Sequence, residues 1–113
     1  MARVLIIDDD ELFRGFLRQA LTRAGHDTVE AEDGEEGLAR FRSQKMDVVI
    51  TDIILPGKTG LEAIAEMKME VPDVKIIAIT GGDLAMPKGY VAFKFSKPIY
   101  PKPLISAVES LCA

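Results

Sequence analysis

The hydrophobic pattern of the chain alternates between two kinds of segment. Short, mainly apolar runs occupy residues 4–7, 47–51 and 74–79, and weaker runs of the same kind occupy residues 27–31 and 91–95. Such runs are typical of strands that are buried on both faces of a parallel sheet. The pattern therefore predicts five strands.

Longer stretches between these runs repeat apolar residues at the spacing of a helix face. Gly25 is a stop signal for the first predicted helix, Asp33 can cap the second, and Pro72 closes the third unit. The last helix carries Leu104, Ile105, Val108 and Leu111. Residues 81–90 predict one helical turn at most. Alternating units of this kind pack as an α/β parallel sheet with helices on both faces.

Composition narrows the class of protein. The 113 residues suffice for one domain, and 48% of them are hydrophobic. No apolar run approaches the roughly 20 residues of a membrane helix, and no signal peptide follows Met1, so we expect a cytoplasmic protein without a membrane partner. Cys112 is the only cysteine, which excludes an internal disulfide. The net charge of −4 argues against direct nucleic-acid binding.

Polar side chains interrupt the apolar runs at the carboxyl ends of the predicted strands. In an open parallel sheet these ends form one crevice, which is the usual ligand site. The residues are Asp8, Asp9, Asp52, Thr80 and Lys97. Each has an alternative interpretation by itself: acids can cap helices or form turns, and the threonine and lysine can serve strand ends. Their arrival together at one edge favours a functional site.

The chemistry of this cluster points to a metal ion and a second anion. Carboxylates about 5 Å apart repel by about 3 kcal/mol per pair at an effective dielectric constant of about 20. A hard divalent cation such as Mg²⁺ removes that repulsion. A lysine beside such a group indicates an additional anion, for which phosphate is the natural candidate.

The chain resembles the receiver domain of bacterial two-component response regulators. The matching stretches are VLIIDDDELFR, DVVITDIILPGKTGLEAI, IIAIT and FSKPI. The resemblance implies a flavodoxin-like, doubly wound five-stranded parallel sheet with strand order 2-1-3-4-5. It also implies that residues 1–113 form a single receiver domain, for which we expect no effector domain.

The resemblance further implies the role of each matched residue. Asp52 resembles the phosphoacceptor, which takes a phosphoryl group from a sensor histidine kinase or a histidine phosphotransfer protein. Asp9 resembles the direct Mg²⁺ ligand, and Asp8 acts nearby, often through water. The carboxylate of Asp52 and the backbone carbonyl of Ile54 complete the implied metal site.

Two further residues are implied to bind the phosphoryl group. Lys97 pairs with a phosphoryl oxygen, and Thr80 bonds to one after phosphorylation. The Lys97–Pro98 peptide bond is usually cis in this family. Such a protein catalyses its own phosphorylation and dephosphorylation but is a signalling protein rather than an enzyme. It passes the signal to a downstream protein that the sequence does not identify.

The sequence departs from the family pattern between Thr80 and Lys97. This interval is several residues short, so we expect the fourth helix to be shortened or absent. Family members commonly carry an aromatic residue three positions before the lysine, where this chain has Lys94. Phe93 and Phe95 should point to the opposite face, because side chains alternate along a strand.

Other functions fit less well. A receiver-like interaction module that does not switch by phosphorylation is the main alternative, favoured by Lys94 and opposed by the complete acid cluster. A flavin-binding protein of the same topology would need a Ser/Thr/Gly loop where residues 8–11 are acidic. A dehalogenase-type phosphatase does not fit the chain length. His26, in the turn after Gly25, is interpreted as a surface residue.

Overall fold

The computed structural model describes residues 1–54, 59–81 and 89–112. Its strands and helices alternate along most of the chain, as the hydrophobic pattern predicted. In chain order they are β1 (Arg3–Ile7), α1 (Glu11–Arg23), β2 (Asp27–Ala31), α2 (Gly34–Ser43), β3 (Val48–Asp52), α3 (Gly60–Glu70), β4 (Ile76–Thr80), β5 (Phe93–Ser96) and α4 (Pro101–Cys112).

The five strands form one sheet in the order β2-β1-β3-β4-β5, and every neighbouring pair is parallel. This arrangement confirms the predicted α/β fold of flavodoxin-like type and its strand order. The order reverses direction at β1, so the carboxyl ends of β1 and β3 lie side by side at a topological switch point. That edge of the sheet carries the predicted site.

The expectation of a shortened or absent fourth helix is wrong. The fourth helix along the chain, α4, spans 12 residues, and it buries Leu104, Ala107 and Val108. It forms because its apolar face packs onto the sheet beside α1. The expectation rests on the short interval between Thr80 and Lys97, and residues 82–88 of that interval lie outside the described ranges.

Alternate residues of the central strands supply two hydrophobic cores. Val4 and Ile6 face the layer of α1 and α4, where Leu17 is fully buried. Leu5 and Ile7 face the layer of α2 and α3. This alternation explains why β1 is apolar at nearly every position: a strand covered on both faces has no solvent-exposed side. Both cores therefore fix the position at which β1 ends.

The edge strand β5 shows the predicted separation of its aromatic residues from Lys94. Phe93 and Phe95 pair in register with Ile77 and Ile79, and their rings stack with centroids 6.3 Å apart. Ile77 and Ile79 belong to the core beneath α1 and α4. Lys94 instead pairs with a residue of the opposite core. The aromatic residues thus lie on the other face of the strand from Lys94.

The interpretation of His26 as a surface residue is wrong. Its side chain is buried, and its Nδ1 accepts a hydrogen bond of 3.0 Å from the backbone N–H of Ala2. Nδ1 is therefore unprotonated, so Nε2 carries the hydrogen and donates it to Glu109 Oε2 at 3.3 Å. The turn folds back onto Ala2, just before β1, and onto Glu109 of α4, and sequence spacing did not reveal these contacts. No helix in the described part of the chain is long and apolar enough to span a membrane.

Candidate functional site

The three consecutive aspartates after β1 have different roles. Asp10 is the N-cap of α1, and its Oδ1 accepts hydrogen bonds from the backbone N–H groups of Leu12 and Phe13 at 3.0 and 3.3 Å. Helix capping is therefore the role of Asp10. Asp8 and Asp9 do not have that role, and the family resemblance implies that both belong to the metal site.

The Asp8 carboxylate is buried and only partly satisfied. Its Oδ1 accepts a 2.8 Å hydrogen bond from the backbone N–H of Asp10. Its Oδ2 is buried and accepts no hydrogen bond from any group in the described ranges. Burial raises the pKa of Asp8 above its usual value; the Asp10 N–H and Lys97 oppose this effect, and the charge of Asp52 adds to it. The orphaned oxygen indicates a position prepared for a cation.

Asp52 ends β3 and has both carboxylate oxygens engaged. Oδ1 accepts a 3.0 Å hydrogen bond from the backbone N–H of Ile54, and Oδ2 accepts one of 3.3 Å from Lys97 Nζ. Gly60 packs directly against the backbone here, because a Cβ at that position would lie 2.1 Å from the Asp52 carbonyl oxygen. The start of α3 therefore fixes the backbone that carries Asp52.

The Lys97 ammonium joins the carboxylates of β1 and β3. Its Nζ lies 3.5 Å from Asp8 Oδ2 and 3.3 Å from Asp52 Oδ2, and 4.4 Å from the centroid of the Phe13 ring. Burial lowers the pKa of Lys97, but the charges of Asp8 and Asp52 outweigh that effect, and the pKa is raised. Lys97 is therefore a protonated counter-ion at neutral pH. The peptide bond to Pro98 is cis, as the sequence predicted.

Thr80 lies at the same edge of the sheet. It ends β4, one residue after the position that pairs with Asp52, and its backbone carbonyl accepts a 3.1 Å hydrogen bond from the N–H of Lys97. Thr80 is buried at 2% exposure. The structure therefore brings the strand ends that carry Asp8, Asp52, Thr80 and Lys97 to one place.

The three predicted carboxylates could hold a metal ion. Asp8, Asp9 and Asp52 each offer one oxygen, and these oxygens all lie within 4.8 Å of one another. Oxygen donors of this kind suit a hard cation such as Mg²⁺. Asp8 Oδ2, which accepts no hydrogen bond in the described ranges and has only the Lys97 ammonium nearby at 3.5 Å, is an independent reason to place a metal ion here. The Ile54 carbonyl stays a predicted ligand.

Some residues that hold this site in position carry no signal in the sequence. Arg14 donates from Nη1 to the backbone carbonyl of Asp8 at 2.7 Å and from Nε to Glu30 at 3.3 Å. Gly60 packs against the backbone of Asp52, and the ring of Phe13 lies beside the Lys97 ammonium. Arg14 stood within the stretch that matched the family, but its contact crosses from α1 to the end of β1. Spacing along the chain does not show such a contact.

Comparisons with known sequences agree with this geometry. The model of the response regulator receiver domain family matches residues 4–109. The protein PilH of Pseudomonas aeruginosa is 30% identical over an alignment of 120 positions, which covers 100% of this chain and 99% of PilH. Response regulator GacA of Pseudomonas viridiflava is 42% identical over 82 residues, which is 71% of this chain. The match covers only 38% of the length of GacA.

The fold is similar to that of solved receiver structures. The response regulator TrrA of Thermotoga maritima, in complex with Mg²⁺ and BeF, is 32% identical with a TM-score of 0.90, covering 98% of this chain and 99% of TrrA. TrrA was also solved in complex with the histidine kinase ThkA. That TrrA chain aligns with a TM-score of 0.89 at 32% identity over 100% of both chains.

Proposed function

The chain belongs to the response regulator receiver domain family, and from that membership we propose that it accepts a phosphoryl group on Asp52. The observation that carries the proposal is the position of Lys97 Nζ, within 3.5 Å of both Asp8 and Asp52. A cation between a buried acid and a candidate nucleophile can pair with an incoming phosphoryl oxygen. This pairing is the electrostatic stabilisation that phosphoryl transfer requires.

Asp52 acts as the nucleophile. One carboxylate oxygen forms a bond to phosphorus while the bond from phosphorus to the donor's imidazole nitrogen breaks, and that nitrogen keeps the electron pair. No general base is needed, because an ionised carboxylate has no proton to lose. Hydrogen bonds from the backbone of Ile54 and from Lys97 orient the two oxygens and leave each with a free lone pair.

Lys97 and Thr80 bind the transferred group. Lys97 can follow a phosphoryl oxygen, because its ammonium is carried on a four-carbon stem with rotatable bonds and its side chain is 33% exposed. Its raised pKa keeps it charged during the transfer. Thr80 would donate its hydroxyl hydrogen to another phosphoryl oxygen once Asp52 is modified.

Asp8, Asp9, Asp52 and the Ile54 carbonyl would hold Mg²⁺. A bound Mg²⁺ neutralises the charge of the carboxylates and of the phosphoryl oxygens. The chain's own contribution is to hold these acids close together. Arg14 does so at the backbone of Asp8, and Gly60 does so at the backbone of Asp52.

The proposed phosphodonor is a sensor histidine kinase or a histidine phosphotransfer protein. The complex of TrrA with the kinase ThkA supports the first of these, because TrrA covers this chain in full. We propose that the phosphorylated domain signals through contacts with a downstream protein and catalyses its own dephosphorylation. The cytoplasmic location and the lack of direct nucleic-acid binding stay predictions.

Labelling with a small phosphodonor tests the proposal. Incubation with acetyl phosphate and Mg²⁺ should add one phosphoryl group, seen by intact-protein mass spectrometry, and Asp52→Asn should abolish the addition. Asp73→Asn is the matched control, because Asp73 is an exposed acid before β4, at the opposite edge of the sheet. Equal labelling of wild type and Asp52→Asn would remove Asp52 from the nucleophile role.

A receiver-like module that does not switch is the second candidate, favoured by Lys94. This residue occupies the position of the usual aromatic, while Phe93 and Phe95 lie on the other face of β5. Amide hydrogen exchange with and without Mg²⁺ and beryllofluoride distinguishes the two functions. Protection that changes only next to Asp52 would favour the non-switching module, whereas changes that extend along β4 and β5 would favour a switch.

A further inference from the structure

The aromatic ring of Phe13 borders the phosphoacceptor cluster, and the proposed phosphoryl transfer gives it no role. The Lys97 ammonium lies 4.4 Å from the centroid of Phe13. This distance is within the range of about 6 Å over which a ring face attracts a cation. The described ranges contain one other such contact, between Lys68 and Tyr90 at 5.5 Å, and it involves none of the site residues. Phe13 therefore shares the Lys97 ammonium with Asp8 and Asp52.

The ring of Phe13 is the fixed partner in this contact. Its backbone N–H is held by the Asp10 cap at 3.3 Å, which anchors it to the first turn of α1. Its side chain packs against the core between α1 and α4, with its centroid 6.2 Å from that of Phe16. Lys97, by contrast, is a long side chain with 33% exposure. The ring can therefore restrict where the ammonium lies.

An aromatic ring attracts the ammonium without competing with a phosphoryl oxygen for its N–H donors. An ammonium has three N–H donors, and a carboxylate that accepts one of them withdraws it from any phosphoryl oxygen. A ring face attracts the charge through its quadrupole and carries no net charge of its own. It therefore does not repel an incoming phosphoryl group, as another carboxylate would. The ring also displaces water from one side of the ammonium.

We propose that Phe13 is a positioning residue for phosphorylation, whose ring holds the Lys97 ammonium beside Asp52 with its hydrogens available to a phosphoryl oxygen. This inference rests on the proposed function of Asp52. It assigns a role to the first turn of α1 beyond helix packing. The acidic loop and the start of α1 then contribute to both sides of the site: the carboxylates to the metal, and the ring to the lysine.

Substitutions of Phe13 test the inference through the rate of labelling by acetyl phosphate at saturating Mg²⁺. Phe13→Leu and Phe13→Met keep an apolar side chain but remove the ring, and each should slow labelling by roughly two- to tenfold. Phe13→Tyr keeps the ring and should restore a rate near that of wild type. Phe41→Leu is the matched control, because Phe41 is a partly buried phenylalanine that packs against the core on the opposite face of the sheet, and this change should leave the rate unchanged. Far-UV circular dichroism checks that each variant is folded.

A double-mutant cycle with Lys97→Met separates positioning from packing. In the Lys97→Met background, Phe13→Leu should no longer slow labelling. It should lower the urea midpoint of the metal-free protein only by the packing that the ring loses. The effects of the two substitutions should therefore be coupled in both readouts. An equal effect of Phe13→Leu in both backgrounds would overturn the inference and leave the role of Asp52 intact. A wild-type protein that acetyl phosphate does not label would overturn the proposed function and this inference together.

Discussion

At the scale of single residues, the main feature of the site is the buried and incompletely compensated charge of Asp8. This carboxylate is buried at 1% exposure, and one of its oxygens has no hydrogen-bond donor in the described ranges. Without a metal, Lys97 is its main compensation, at 3.5 Å. A buried and partly compensated charge destabilises the fold. Asp8 therefore lowers the stability of the metal-free protein and, by the same charge, favours the binding of a cation.

Asp8→Asn should stabilise the metal-free protein by about 1–3 kcal/mol, because it removes a buried charge that Lys97 compensates only in part. The asparagine oxygen can still accept from the Asp10 N–H. Urea denaturation in EDTA measures the effect, and Asp10→Asn, which keeps a capping side chain, is the control. A metal-free Asp8→Asn protein that is less stable than wild type would contradict this account of the charge.

The gain from Asp8→Asn should depend on pH. The pKa of Asp8 is raised in the folded state, so the folded protein binds its proton more tightly than the unfolded chain does. Wild-type stability therefore falls as pH rises from the unfolded pKa through the folded pKa. The advantage of Asp8→Asn should be largest near neutral pH and should disappear at low pH, where Asp8 is protonated in both states.

At the scale of elements, the helices hold the strand ends that carry the site. The first turn of α3 is fixed by a capping box between Thr59 and Glu62. This turn places Gly60 against the backbone of Asp52, and the N–H of Gly60 donates to the Ile53 carbonyl at 2.9 Å. On the other side, α1 contributes Arg14 to the backbone of Asp8. Two helices on opposite faces of the sheet thus fix the two acids.

Gly60→Ala should destabilise the protein by about 1–3 kcal/mol and slow the labelling of Asp52, because a Cβ would lie 2.1 Å from the Asp52 carbonyl oxygen. That atom belongs to the backbone and cannot rotate away. Gly15→Ala is the matched control: its Cβ would meet only a side-chain atom of Arg18, at 3.6 Å.

Gly15 lies inside α1, so its change to alanine should stabilise by roughly 0.5–1 kcal/mol. Thermal or urea denaturation of both variants gives the comparison. If Gly60→Ala has the stability and labelling rate of wild type, the backbone of Asp52 is not fixed by α3.

At the scale of the whole molecule, charged side chains at the carboxyl ends of β1, β3 and β5 meet at one edge of the sheet. The chain has a net charge of −4, and three of its acids lie close together at that edge. Lys97 relieves part of the repulsion between Asp8 and Asp52, and a bound metal ion would relieve more of it. Folding and metal binding should therefore be coupled.

Mg²⁺ should raise the stability of the whole domain. At a free concentration of ten times its Kd, the gain is about 1.4 kcal/mol, which raises the Tm by several degrees. Differential scanning calorimetry with and without Mg²⁺ measures the gain. Asp9→Asn should reduce the response, and Asp73→Asn should not. An equal response in wild type and Asp9→Asn would place the bound cation elsewhere.

The sequence by itself determined the fold class, the strand order through the family resemblance, and the edge of the sheet at which the acids, Thr80 and Lys97 meet. These features could be predicted because burial on both faces makes a strand wholly apolar, so a charged residue marks the end of that strand. The separation of Lys94 from Phe93 and Phe95 followed from the same alternation.

Only the tertiary structure decided which partner each side chain has. His26 is buried because the turn after α1 folds back onto Ala2 and Glu109, positions that are distant in sequence. The contacts of Phe13 with Lys97 and of Gly60 with Asp52 join different elements in the same way. A local pattern reports which face of a strand or helix is buried. The packing of one element on another decides what that face meets.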